Sequence, residues 1–212
     1  SEDMPRVNAD HQRRQRERII VAAEGCFVDS GFHTASMDEI VSRAGMSSST
    51  VYSYFPGGKR ELIRAVCTNR LEPVYDEVEE YANREDPPSL SQIFKEVFGR
   101  FWNTHRGSEP EDVRRSAVYS ARLAINAWSE VNRDEELRQD MASRHDSFRG
   151  MIVKLVKRWQ SNGQVDPRLD PDDVVTAIVG MYFGIIVDYV IMKDLSSLEA
   201  VTALERILRP RG

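Results

Sequence analysis

The chain has 212 residues, of which 41% are hydrophobic and 30% charged, and a formal net charge of −5. Such a length accommodates one large domain or a small one attached to a larger one, and the balance is ordinary for a soluble globular protein. It sets aside the low-complexity and strongly basic classes, and the net acidity by itself argues against a nucleic-acid partner.

Charge distribution reverses that last inference. Attraction to phosphate acts within about a Debye length, roughly 8 Å at physiological salt, so local clusters outweigh the sum. Arg13, Arg14, Arg16 and Arg18 cluster near the N-terminus with Arg6 upstream, and Lys59, Arg60 and Arg64 form a second group. Glu24, Asp29, Asp38 and Glu39 lie between them, which predicts weak non-specific affinity and dependence on direct contacts. Ser1 to Arg18 is polar and basic without an apolar core, so it reads as no signal peptide. Cys26 and Cys67 fall inside helical patterns and read as buried thiols rather than a disulfide, in keeping with a reducing cytoplasm.

In chain order, residues 1–12 read as a flexible basic arm. From about Asp10 to Ser30, Ile19, Ala22, Ala23, Cys26 and Phe27 form one apolar stripe of a helix that Gly31 ends. Ser36 and Glu39 make a capping box for a second short helix with Met37, Ile40, Val41 and Ala44 on one face. Gly45 is suited to ending it in the left-handed region. Ser47 caps a third helix, Ser48 to Tyr54, with Val51 and Phe55 inward, and Pro56-Gly57-Gly58 stops it. Two short helices joined by a glycine corner form a helix-turn-helix, whose second helix enters the DNA major groove. Its outward residues, Ser48, Ser49, Thr50, Tyr52, Ser53 and Tyr54, all carry hydroxyls that can donate or accept at base edges and phosphates.

Lys59 to about Arg84 reads as a fourth helix that Pro73 kinks or divides. After the linker Asn83 to Ser91, helices are predicted over Leu90 to Trp102, Val113 to Trp128 and Asp134 to Ser161. Val174 to Met192 is almost uninterruptedly apolar and approaches the roughly 20 residues that span a bilayer. Asp188 inside it and the acidic flank at Asp170, Asp172 and Asp173 argue against a membrane span. A helix apolar on every side must be covered on every side, and the last predicted helix, Ser196 to Leu208, is also more apolar than one contact requires. Two such helices from each of two chains make a four-helix bundle about a two-fold axis. No strand, repeat or low-complexity block is evident.

The run from Ala22 to Val66 resembles the DNA-binding domain of the TetR (tetracycline-repressor-like) transcriptional regulators. The resemblance is carried by Ala23, Phe27, Gly31, Phe32, Ser36, Ile40, Ala44, Gly45, Ser47, Thr50, Tyr52, Phe55, Lys59 and Leu62. Departures are Ser49 where the family most often has Gly, Ala35 where it often has Thr, and a longer turn at Gly57-Gly58. The resemblance implies an all-α chain with an N-terminal helix-turn-helix domain, residues 13–73, and a larger ligand-binding and dimerisation domain, residues 74–212. Operator contacts fall to Ser47, Ser48, Ser49, Thr50, Tyr52, Ser53 and Tyr54, with Arg13, Arg14, Ser36 and Lys59 on phosphates. The effector cavity is expected among Phe98, Trp102, Tyr119, Trp128, Met151, Leu155, Tyr182, Phe183 and Asp188. The dimer seam is expected at Val175, Val179, Gly180, Gly184, Val187, Leu198, Val201, Leu204 and Leu208.

The expected partners are therefore a palindromic double-stranded operator, a second copy of the chain and a small-molecule effector, with no cofactor, no metal and no membrane. His11, His33, His105 and His145 are scattered without metal-ligand spacing, and no nucleophile elbow, P-loop or dinucleotide fingerprint is present. The rival readings are an activator, a regulator answering to a protein partner, and a helical-bundle enzyme or carrier.

Overall fold

The computed structural model describes residues 3–101, 110–194 and 196–212. Regular structure among them is entirely helical: α1 (Asp3–Thr34), α2 (Met37–Ala44), α3 (Ser48–Tyr54), α4 (Lys59–Asn83), α5 (Leu90–Phe101), α6 (Pro110–Val131), α7 (Glu135–Ser161), α8 (Pro171–Met192) and α9 (Glu199–Leu208). A single 3₁₀ turn, Ser196–Leu198, leads into α9. Two compact units divide the chain: Ser1–Leu71 with Asn126–Leu137, and Glu72–Ile125 with Arg138–Gly212.

The first unit is built on the stripe of α1. Ile19, Ala23 and Phe27 are fully buried, and Phe32 meets Phe27 edge-on at 4.8 Å. Gly31 adopts φ 80°, ψ 162°, which breaks the helix and swings Phe32 into that core. Ile40, Val51, Phe55, Leu62 and Val66, from α2 through α4, are fully buried with them. Each such side chain contributes about 1.5–3 kcal/mol of transfer free energy, which holds the short helices that propensity alone would not.

Two features differ from expectation. Residues 3–12, read as an arm, are the opening turns of α1. Pro5 falls in the first turn, where a missing N–H costs nothing, and Arg6 to Glu24 contains neither Gly nor Pro. Pro73 lies inside a continuous α4, so the helix is not divided there and forgoes only the hydrogen bond to the Asn69 carbonyl.

The segment Asn126–Leu137 belongs to the first unit although α6 and α7 continue into the second. Asn126 donates its amide to the Phe27 carbonyl at 2.9 Å, and Asp134 takes Arg60 at 2.9 Å.

In the second unit α5 packs on α9, and the buried Trp159 of α7 donates to the Pro88 carbonyl at 3.0 Å. Tyr75 stacks on Phe148 at 4.6 Å. Asp170 caps α8 through the Asp172 amide, with Pro171 at the first helical position. By length and composition α8 could cross a membrane. Val174, Val175, Ile178, Val179, Ile185 and Ile186 instead bury one side of it within the unit, as a core helix requires.

Candidate nucleic-acid interface and an apolar cavity

The geometry of α2 and α3 is set by caps that short-range sequence specifies. Ser36 Oγ accepts the Glu39 amide while the Glu39 carboxylate accepts the Ser36 amide, both at 3.2 Å. Gly45 closes α2 at φ 65°, ψ 35°. Ser47 Oγ accepts the Thr50 amide at 3.2 Å and opens α3. With Val51 and Phe55 fully buried, the opposite face of α3 must point outward. Ser48, Ser49 and Ser53 are exposed, Tyr52 is 42% exposed, and Thr50 and Tyr54 are half-buried.

Not every hydroxyl on that face is equally available. Ser47 Oγ lies 2.8 Å from Thr50 Oγ1 and 3.1 Å from Ser49 Oγ, and Ser53 donates to the Thr50 carbonyl at 2.6 Å. The network fixes rotamers, so the groups that remain are presented in one arrangement. No side chain of α3 can make the paired hydrogen bonds by which Arg reads guanine or Asn and Gln read adenine.

The cations are more committed than the sequence suggests. Arg13 pairs with Asp10 at 2.6 Å, on exposed side chains, while Arg14 is exposed one residue on. Lys59 Nζ donates to the His33 and Ala35 carbonyls at 2.9 and 3.1 Å, tying the end of α1 to the start of α4. Arg60 and Arg64, grouped with Lys59 in the sequence, pair with Asp134 and Glu136. Arg43 holds Asp29 at 2.8 Å, and Arg16 lies over the Phe55 ring at 4.9 Å. Ser36 is exposed beside the carbonyls that Lys59 takes. Burial pushes the Cys26 thiol up despite the Arg43 guanidinium beside it, so neither charge nor reactivity is promoted there.

A cavity of about 50 Å³ lies inside the second unit, among α4, α5, α7 and α8. Of the residues expected to form an effector site, Phe98, Leu155 and Tyr182 line it. Val74, Val78, Phe94, Val97, Ile152, Trp159 and Ile178 join them, as does Val179. Met151, Phe183 and Asp188 do not reach it: Phe183 stacks with His145 and Asp188 is half-buried elsewhere on α8. Trp128 belongs to the first unit. Trp102 and the Tyr119 side chain lie outside the described residues. Periodicity marks these positions as apolar but cannot tell which walls of a core stand slightly apart.

The seam expected on α8 and α9 splits in two. Val175, Val179, Val201 and Leu208 are buried in the unit's own core, because they share the inward side with Ile178 and Ile186 or pack under α5. Gly180, Gly184 and Val187 face outward, and Leu198 and Leu204 are half-buried. Among the exposed positions on α8, Ala177, Gly180, Gly184, Val187 and Ile191 form a stripe of alternating three- and four-residue steps. On α9 Ala200, Ala203 and Ile207 repeat the pattern. Ile191 and Ile207 are 70% and 65% exposed, and Ile191 was hidden in the sequence by a run apolar on nearly every side.

Residues 19–66 match the profile of the bacterial regulatory proteins of the tetR family, and residues 107–209 match that of the BetI-type transcriptional repressor C-terminal domain. The HTH-type transcriptional regulator YfiR of Bacillus subtilis is 24% identical over 183 residues, covering 86% of this chain and 83% of that protein. The HTH-type transcriptional activator FasR of Mycolicibacterium smegmatis is 41% identical over 58 residues, 27% of this chain and 26% of that one. A solved SmeT–triclosan complex superposes with a TM-score of 0.75 at 19% identity, over 94% of this chain and 93% of that one, which shows a shared fold. SmeT is described as the repressor of a Stenotrophomonas maltophilia multidrug efflux pump.

Proposed function

The chain belongs to the tetR family of helix-turn-helix transcriptional regulators, and from that premise we propose that it is a homodimeric cytoplasmic repressor released from a palindromic operator by a small-molecule effector. The observation that carries the reading is the capped α2–Gly45–α3 corner, which turns a rigid hydroxyl face outward. In this reading Arg14, exposed in the basic stretch of α1, and the exposed Ser36 meet phosphates. The match to a repressor-type C-terminal profile favours repression.

Dimerisation follows from the outward stripes of α8 and α9, where small residues let two backbones approach and Val187, Ile191 and Ile207 supply apolar area. Two recognition helices about 34–36 Å apart reach successive major grooves of a palindrome. Effector control follows from continuity: α4 lines the cavity with Val74 and Val78 and begins at Lys59, next to α3. A 100-fold release needs about 2.7 kcal/mol of coupling between the two sites.

Selection of bound duplex from a random or genomic pool tests the reading, with an inverted repeat as the expected product. Thr50→Ala with Tyr52→Ala should weaken binding to that repeat by about 100-fold, roughly 2.7 kcal/mol, while the protein stays dimeric. Undiminished affinity in the double variant would remove α3 from the role. The likeness to the activator FasR favours a second sign of control, in which the same interface recruits transcription. A reporter read with and without the gene separates the two.

A further inference from the structure

We propose that the effector is an uncharged, predominantly apolar aromatic molecule, bound among Phe94, Phe98 and Tyr182 in the cavity of the second unit. This rests on the reading of the chain as an effector-responsive regulator and names the chemistry of that effector.

The wall decides the class. Every described residue lining the cavity is aliphatic or aromatic, and no carboxylate, ammonium, guanidinium or amide side chain is among them. The two polar groups, the Trp159 indole N–H and the Tyr182 hydroxyl, are neutral, and the indole already donates to the Pro88 carbonyl. An ion entering this space would surrender its hydration with no counter-charge to replace it. A neutral apolar guest loses nothing comparable and gains contact on all sides.

The aromatic preference comes from ring geometry. Phe98 lies 5.4 Å from Tyr182 and 6.0 Å from Phe94, and Phe94 is 6.4 Å from Tyr182, centroid to centroid. The three interplanar angles, 28°, 50° and 77°, offer both faces and edges to a planar guest. The cavity of about 50 Å³ is walled in part by these three rings, so a planar guest there packs against them. Tyr182 is the half-buried member of the three, whereas Phe94 and Phe98 are buried.

A second cleft of about 220 Å³ offers the opposite chemistry. It lies beside Ser89, Gln164, Glu205 and Arg209, and its charged side chains suit a zwitterion or ion. Ligand charge therefore distinguishes the two sites.

The test uses the full chain on its selected operator and three probes sharing one ring system: 1-naphthol, 1-naphthoate and 1-naphthylmethylammonium. Melting temperature reports binding, and fluorescence anisotropy of labelled operator reports release. The expected result is a raised melting temperature and operator affinity weakened by about tenfold or more with 1-naphthol, and neither effect from the charged probes at about ten times the concentration. Leu155→Phe, which fills the space, should weaken 1-naphthol by about tenfold or more. If that variant does not fold, Phe98→Ala, which widens the cavity, should keep the preference for the neutral probe.

A charged probe that binds as well as 1-naphthol overturns the proposal, leaves effector release standing and points to the Glu205–Arg209 cleft. Failure of all three probes to bind also overturns it. Binding of 1-naphthol alone without operator release supports the ligand class and counts against the release reading instead.

Discussion

The Asp134 carboxylate accepts the Glu136 and Leu137 amides at 3.1 Å with one oxygen, capping α7, and takes Arg60 at 2.9 Å with the other. The Leu137 amide is the leading reason its acidity is held below the usual carboxylate range, with Arg60 and the Glu136 amide adding to it against burial. Asp134→Ala should cost about 1 kcal/mol at neutral pH, the usual value of a lost cap, with little more from the exposed Arg60. Because the folded-state pKa is depressed, the unfolded chain takes up its proton first as pH falls. The stabilisation is therefore fully present above about pH 4 and disappears as pH drops through the folded value. Thermal melts of both proteins across pH 7 to 2 should show the gap narrowing in acid; a gap that stays constant would mean the carboxylate's charge is irrelevant. Asp166 behaves the same way, held down to about 2 chiefly by the Arg168 side chain and then by the Arg168 amide. Single residues of this kind were half legible. Ser36, Glu39 and Gly45 act on neighbours within four positions, and the sequence displays both partners. Asp134 and Arg60 are more than seventy positions apart, Asn126 and Phe27 nearly a hundred, and nothing local links them.

Among the elements, the α2–α3 corner has the least slack. Gly45 sits at φ 65°, where a β-carbon costs about 1–2 kcal/mol, and that carbon would lie 3.1 Å from the Arg18 guanidinium. Gly45→Ala is expected to lower stability by about that amount and to weaken operator binding further by tilting α3. Equal melting temperatures for the two proteins would show that the corner tolerates the strain. The bounds of α3 follow directly from Ser47 and the Pro56-Gly57-Gly58 stop, so this element could be read from the chain alone. The outward side of α8 could be read only in part. When nearly every residue of a helix is apolar, periodicity carries no phase, and only the packing beside Ile178, Ile185 and Ile186 reveals that Val175 and Val179 face in and Ile191 faces out. Lys59 shows a related limit: its place at the head of a helix suggests a phosphate contact, whereas its donation to the His33 and Ala35 carbonyls is visible only in the fold.

At the scale of the molecule, the two compact units share three covalent crossings, through α4, α6 and α7. The second unit contains the apolar cavity and the exposed stripes, and the first contains the hydroxyl face. In the proposed mechanism, pairing through the stripes sets the separation of two hydroxyl faces, and a guest in the cavity alters it. Sedimentation of the chain with its selected inverted repeat measures the premise most directly. Chains should bind in pairs on each duplex, and pairing and tight binding should be lost together when Val187 and Ile191 are both replaced by Glu. One chain bound per duplex, or a Val187→Glu/Ile191→Glu protein that still pairs and binds at full strength, would contradict it.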